Sequence, residues 1–143
     1  MADRSETHLT QADYRALADF RLALRRFLAF SEGGAESQKL TPQQHQALLA
    51  IRAHDGAEPI SIGELADWLM IKNHSAVGLV ARLAEAGLAT RESSPADRRR
   101  VLLRLTPEGE RRLEILSRNN LAALGASAPV LQELLKALER VST

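Results

Sequence analysis

Apolar residues recur every three or four positions over most of this chain, a spacing that predicts helices. The first such stretch covers residues 10–32 and begins at Thr10, a capping residue with Asp13 as its capping-box partner. We expect this helix to end within residues 31–34, because the segment contains two adjacent glycines. Its apolar arc is wider than one small core requires, so the pattern also predicts a second partner surface.

The next three helical patterns have recognisable starts or ends. Thr41 followed by Pro42 places a capping side chain before a proline at the first helical position. Ser61 and Glu64 have the capping-box spacing at the start of a short helix. After a brief turn, a further helix is expected over residues 73–86, and its core-facing positions are Ala76, Leu79, Val80 and Leu83.

Two strand-like runs, residues 88–92 and 101–105, come next and are joined by a polar segment. Thr106-Pro107 then starts another helix, and Pro129 starts a last amphipathic one. The pattern therefore predicts a mostly α fold with a small β-hairpin.

A helix, a short turn, a second helix and a hairpin form the order of a winged helix-turn-helix, whose second helix can enter the major groove of duplex DNA. Residues 72–104 carry seven cations and three anions, a net charge of +4 in a chain of net charge +1. We expect the second helix to read bases and the hairpin arginines to reach phosphates or the minor groove. The candidate DNA-binding residues are Ser61, Lys72, Asn73, His74, Ser75, Val77, Gly78, Arg82, Asp97, Arg98, Arg99 and Arg100.

Other roles are open for several of these residues. Asn73 or Ser75 can act as a helix cap, as Ser61 is expected to do first of all. The arginines can form a solvated turn, with Arg100 directed into the strand pair. Glycine costs ~1 kcal/mol relative to alanine inside a helix, so its presence at position 78 needs a reason. Gly78 either permits close approach to DNA or is simply tolerated. Asp97 itself is expected to accept a hydrogen bond from a neighbouring arginine such as Arg99 and to fix the hairpin tip.

Composition narrows the functional classes. Hydrophobic residues make up 45% and charged residues 26% of the 143 positions, as in an ordinary globular domain. Because cysteine is absent, disulfides, thiolate zinc sites and cysteine redox sensing are excluded. No apolar run approaches the ~18 residues that span a bilayer, so we expect a cytoplasmic protein without membrane association. The four histidines are scattered, and no nucleophile with a base, carboxylate pair or phosphate-binding glycine loop is visible, so no metal, cofactor or enzymatic activity is expected.

The segment from Ser94 to Gly109 resembles the wing signature of the MarR family, in which Asp-x-Arg is followed by a strand and then Leu-Thr-x-x-Gly. Other runs similar to the family in order and spacing lie at residues 40–44, 62–66, 74–77 and 83–88. The resemblance covers nearly the whole chain. It implies a single MarR-like domain over residues 1–143, with a winged helix-turn-helix lobe at 41–105 and dimerisation helices at 10–32 and 107–141.

A homodimer that regulates transcription follows from this resemblance. Two-fold symmetry predicts a palindromic operator, and repression by blocking polymerase is the expected mode, with activation as the alternative. The resemblance also implies release from DNA by a small aromatic or phenolic ligand. Candidate pocket residues are Phe27, Phe30, His45 and Trp68, for each of which core packing or an interface contact is the alternative. A ligand-independent regulator and a winged helix that binds proteins without DNA are the alternative functions, because a fold does not fix a function.

Overall fold

The computed structural model describes residues 8–142, so both ends of the expected 1–143 domain, residues 1–7 and 143, lie outside it. Within the described range the chain forms six helices and one two-stranded antiparallel sheet, which confirms the mostly α fold with a β-hairpin. The elements are α1 (Gln11–Ser37), α2 (Pro42–Ala53), α3 (Ile62–Leu69), α4 (Asn73–Glu85), β1 (Ala89–Ser93), β2 (Val101–Leu105), α5 (Pro107–Gly125) and α6 (Ala128–Ser142).

Local capping explains where three helices begin. The Thr41 hydroxyl accepts a hydrogen bond from the backbone N–H of Gln44, whose side chain accepts one from the N–H of Thr41. Ser61 and Glu64 form the same reciprocal box at α3. At α1 the box partner of Thr10 is Asp13, as the sequence predicts. Each box satisfies backbone donors that a helix N-terminus leaves without partners.

The predicted end of the first helix at residues 31–34 is wrong. Helix α1 continues through Gly33 and Gly34 to Ser37. Ala35, which follows Gly34, is fully buried. A Cβ added to Gly34 would lie 3.4 Å from Cδ2 of Leu116, which is an ordinary contact distance. Packing of this turn therefore outweighs the low helix propensity of the two glycines.

Contacts divide the chain into two compact units. We call residues 32–118 the central unit, and residues up to 31 together with those from 119 onward the terminal unit. The central unit holds one continuous hydrophobic core to which α2, α3, α4 and both strands contribute, with Leu48, Leu65, Leu83 and Leu103 among its fully buried side chains. In the described part of the terminal unit only Asp13 and Ala16 are buried.

The hairpin is anchored on both sides of β2. Ala89 pairs with Leu105 and Ser93 with Val101 across the two strands. On its other edge, the N–H of Leu103 donates to the carbonyl of Ile60, just before α3. This bond ties the hairpin directly to the segment that leads into the helix-turn-helix.

No single helix among residues 8–142 is both long and apolar enough to cross a bilayer. Only α5 and α6 taken together reach that length and composition, and a bend of 65° separates them.

Candidate nucleic-acid interface

The turn between α3 and α4 leaves the start of α4 without a side-chain cap. Helix α3 ends at Met70 in the left-handed conformation, with φ of 55°. Lys72 then occupies the N-cap position of α4, and no side chain bonds to the free N–H groups there. The alternative in which Asn73 or Ser75 caps the helix is therefore wrong, because both residues lie inside its first turn. Uncapped N–H groups at a helix start favour an anion.

Helix α4 has one buried and one exposed face. The predicted core positions, Ala76, Leu79, Val80 and Leu83, are all buried. The exposed side carries Lys72, Asn73, His74, Ser75, Val77 and Arg82, and the partly exposed Gly78 lies among them. This division places every α4 residue of the candidate list on the solvent side.

Ser94 organises the tip of the hairpin. Its side chain is 1% exposed, and its hydroxyl accepts hydrogen bonds from the backbone N–H groups of Ala96 and Asp97. The same hydroxyl donates to the carboxylate of Glu58 at 2.9 Å. A hydroxyl that bonds to nearby backbone N–H groups stabilises a tight turn, so the loop between the strands has a fixed conformation.

Two arginines project from this loop into solvent. Arg98 is exposed, and the side chain of Arg99 is 93% exposed. One carboxylate oxygen of Asp97 accepts hydrogen bonds from the backbone N–H of Arg99 at 3.0 Å and from its Nε at 3.5 Å, which confirms the predicted role of Asp97. The contact directs the Arg99 guanidinium without burying it.

Arg100 has a different environment from its two neighbours. Its Nη1 lies 3.3 Å from an oxygen of Glu58, and its Nη2 lies 2.5 Å from an oxygen of Glu64. The other oxygen of Glu64 lies 3.8 Å from Nε2 of His54. Arg100 is therefore paired with two carboxylates of its own chain. The sequence did not reveal these partners, because they are 42 and 36 residues away along the chain.

The charge of Glu64 is stabilised at this position. Burial acts to raise the pKa of its carboxyl group, but hydrogen bonds from the side chain and backbone of Ser61 and the nearby charges of His54 and Arg100 outweigh it, so the pKa lies below its usual value. The residue that completes the α3 capping box is thus also the negative partner of the hairpin arginine.

A groove brings the start of α3, the exposed face of α4 and the hairpin together. It has a volume of about 300 Å³, and its lining residues are Ser61, Ile62, Gly63, Asn73, Val77, Arg99, Arg100 and Val101. The polar start of the second helix and the arginine-bearing hairpin therefore lie on the same side of the central unit, where both can contact one ligand.

The four candidate pocket residues are found in different surroundings. Phe27 and Phe30 line a largely apolar cavity of about 370 Å³ within the terminal unit, together with Asp19 and Arg26. His45 is buried in the central unit, and burial lowers the pKa of its imidazole. Trp68 is 54% exposed on α3. Only the two phenylalanines belong to the lining of this cavity.

Comparison with known proteins agrees with this arrangement. Residues 38–100 match the sequence model of the MarR family, and this range includes α2, α3, α4, β1 and the loop that leads to β2. The transcriptional activatory protein BadR of Rhodopseudomonas palustris is 31% identical over 88 residues, which are 62% of this chain and 50% of BadR. The chain thus spans about half the length of this curated relative.

Two solved structures cover nearly the whole chain. A probable transcriptional regulator from Pseudomonas aeruginosa is 30% identical with a TM-score of 0.62, and the match covers 85% of this chain and 92% of that one. The F27L mutant of S. aureus MepR, bound to an oligodeoxyribonucleotide, has the same fold at 20% identity and a TM-score of 0.66, with 94% and 99% of the two chains covered. From its helix-turn-helix, its hairpin and these matches, the chain belongs to the MarR family.

Proposed function

We propose that this protein is a transcription regulator that binds duplex DNA in a sequence-specific manner. The observation that carries the proposal is the groove in which the uncapped, polar start of α4 and the hairpin arginines lie on one side of the central unit. MepR, which shares the fold, is bound to an oligodeoxyribonucleotide in its structure. The relative BadR is named as a transcriptional activatory protein.

In this proposal α4 enters the major groove and the hairpin contacts the neighbouring backbone. The major groove is ~12 Å wide and admits one helix, whose N-terminal residues reach the base edges. Asn73 and His74 are exposed at that end, so they are the proposed base-reading residues, with Lys72, Ser75, Val77, Gly78 and Arg82 in the surrounding contact surface. Arg98 and Arg99 are the proposed ligands of phosphates or of the minor groove, and Asp97 holds Arg99 in place.

The helices at residues 10–32 and 107–141 are proposed to join two chains into a symmetric homodimer. Helix α6 buries none of its residues within its own chain, and large apolar side chains are exposed along it and along α1. Two-fold symmetry would place two α4 helices on half-sites about one helical turn apart (~34–36 Å), so the operator is expected to be palindromic. Binding across a promoter would repress transcription by blocking polymerase.

The cavity in the terminal unit is the proposed effector site. A volume of about 370 Å³ suits a small molecule, and apolar walls with the Arg26 guanidinium suit an aromatic carboxylate. Addition of salicylate or benzoate to the protein–operator complex should release the DNA, and Arg26→Gln should remove this response. A complex that is insensitive to these compounds would instead support the ligand-independent regulator.

The function is tested by selecting bound fragments from random duplex DNA and measuring their affinity at several salt concentrations. We expect the magnitude of the slope of log Kd against log salt to fall by about 0.9 for each phosphate contact removed by Arg98→Gln or Arg99→Gln. Arg118→Gln is the matched control, since it removes an exposed arginine of α5 that pairs with Glu114. If no sequence is enriched and the wing variants do not change binding, the winged helix serves a protein partner instead.

A further inference from the structure

Arg100 belongs to a network that joins the hairpin to the segment before α3 and to α3 itself. We call Arg100, Glu58 and Glu64 the wing clamp. Glu58 contacts both the guanidinium of Arg100 at 3.3 Å and the hydroxyl of Ser94 at 2.9 Å. Glu64 contacts the other side of the guanidinium at 2.5 Å. One arginine of the hairpin is thus paired with two carboxylates that lie 42 and 36 residues earlier in the chain.

The clamp residues are partly withdrawn from solvent. The side chains of Arg100 and Glu64 are each 43% exposed, and that of Glu58 is 29% exposed. The side chain of Arg99, one position earlier, is 93% exposed and pairs with Asp97 of its own loop. Two adjacent arginines therefore differ in kind, because one is free to meet a ligand and the other is held by the protein.

We infer that Arg100 is a positioning residue that fixes the hairpin relative to α3 and α4, and that it does not itself neutralise a DNA phosphate. The inference rests on the proposed DNA-binding function. The two carboxylates already offset the charge of the guanidinium, so a phosphate that approached Arg100 would also meet their negative charge. Bonds between charged groups are short and directional, and both carboxylates contact Arg100 at once, so the clamp restrains the hairpin in one orientation.

The clamp should therefore reduce the conformational entropy that the hairpin loses when the protein binds DNA. A hairpin that is already held in the binding orientation avoids part of the ordering cost of association, which is about 0.5–1.5 kcal/mol for each immobilised side chain. Loss of the clamp should therefore weaken DNA binding by roughly three- to tenfold. Because no phosphate contact is lost, the salt dependence of binding should stay as it is in the natural protein.

The sharpest test removes a negative charge. If Glu58 acted on DNA only through its negative charge, Glu58→Ala should bind DNA more tightly. If Glu58 holds Arg100 in the clamp, the same variant should bind DNA more weakly. Glu92→Ala is the matched control: it removes a glutamate from the same hairpin, where that residue pairs with Arg104 at 2.9 Å. We expect Glu92→Ala to bind DNA equally well or more tightly, and Glu58→Ala to bind it about three- to tenfold more weakly.

A second arm uses Arg100→Gln, with Arg104→Gln as its control. Arg100→Gln should weaken affinity while leaving the salt slope unchanged, and the double variant Arg100→Gln with Glu58→Ala should be no weaker than either single variant. A slope that falls by about 0.9 in Arg100→Gln would show a phosphate contact and overturn the inference. Tighter binding by Glu58→Ala would overturn it as well.

Hydrogen exchange in the absence of DNA separates this inference from the proposed function. The N–H of Ser94 donates to the carbonyl of Arg100, and the N–H of Arg100 donates to that of Asp97, so both report on the hairpin loop. Arg100→Gln should speed exchange at these two amides more than Arg104→Gln does. If it does so in a protein that binds no DNA, the proposed function fails and the clamp stands; unchanged exchange overturns the clamp in either case.

Discussion

Gly78 lies on the partly exposed side of α4, where the atom nearest to an added Cβ would be Nη1 of Arg82 at 3.7 Å. This is an ordinary contact distance, so nothing within the described chain requires glycine at this position. Glycine inside a helix costs ~1 kcal/mol relative to alanine. A residue that weakens its own helix without serving the internal packing fits a surface that another molecule approaches closely.

Gly78→Ala should therefore have opposite effects on folding and on binding. We expect the free energy of unfolding to rise by about 0.5–1 kcal/mol, since alanine is the better helix former. On the proposed function, the affinity for operator DNA should fall, because the new methyl group would separate α4 from the base edges. Urea unfolding and a DNA titration measure the two effects. A variant that is more stable and binds DNA as well as the natural protein would show that Gly78 is merely tolerated.

The buried imidazole of His45 predicts a loss of stability in mild acid. Its pKa in the folded protein lies below the ordinary 6.5, because burial disfavours the charged form. As pH falls through 6.5 the unfolded chain takes up a proton that the folded chain resists, so the free energy of unfolding falls. Well above 6.5 the imidazole is neutral in both states, and the residue contributes no pH dependence.

The fall in stability should appear as a Tm that decreases between about pH 7.5 and 5.5, and His45→Gln should make this decrease smaller. His74→Gln, which removes an exposed imidazole, is the control. Titration of Glu108 does not affect the stability in this pH range. Hydrogen bonds from Arg111 and Arg112 lower its pKa to about 2, so the stability that its charge contributes is lost only as pH falls from 4.5 toward that value. An unchanged slope of Tm against pH in His45→Gln would contradict the prediction.

At the scale of elements, the Leu-Thr-x-x-Gly sequence has a physical explanation. The hydroxyl of Thr106 accepts from the N–H of Gly109 and donates to the carbonyl of Gly87, so it caps α5 and holds the end of α4 at the same time. The first turn of α5 then passes so close to Leu88 that a Cβ on Gly109 would lie 2.1 Å from the Leu88 carbonyl oxygen. Only glycine fits without a shift of the backbone.

Substitutions at two glycines should consequently act in opposite directions. Gly109→Ala is expected to lower the free energy of unfolding by about 1–3 kcal/mol, because α5 must move away from the backbone of Leu88. Gly33→Ala, in α1 where no atom lies within 4 Å of an added Cβ, should raise it by about 0.5–1 kcal/mol. Chemical denaturation of both variants tests the pair. Equal effects of the two substitutions would mean that the close contact at Leu88 does not determine the stability.

The elements that the sequence predicts well are those with local determinants. The boxes at Thr41 and Ser61 are visible within four residues, and the core face of α4 within ten. The continuation of α1 through Gly33 was not predictable in this way, because burial of Ala35 decides it. The partners of Arg100 escaped prediction for the same reason: Glu58 and Glu64 reach it only once the hairpin has folded against α3.

At the scale of the whole molecule, exposed apolar side chains are concentrated on the terminal unit. Leu17, Leu121, Leu135 and Leu138 are each more than half exposed. An exposed apolar surface of this kind indicates a protein partner, and a second copy of the chain is the proposed one.

A charge placed on this surface should separate the copies. We expect the natural protein to show twice the chain mass of 15.7 kDa by light scattering, and Leu135→Glu to show the mass of one chain. Met70→Glu, at an exposed apolar residue of the central unit, should leave the mass unchanged. A natural protein that is monomeric at micromolar concentration would contradict the proposed dimer.

Because few residues of the terminal unit are buried, we expect the folding of this unit to depend on the concentration of the protein. With only Asp13 and Ala16 shielded within its described part, this unit has little internal hydrophobic stabilisation to offset the entropy of ordering its helices. On the proposed dimer, the missing stabilisation comes from the other copy and obeys mass action. Dilution alone should then unwind the ends of the chain while the 32–118 core stays folded, so a cell that makes too little of the regulator would hold chains unable to occupy both halves of an operator.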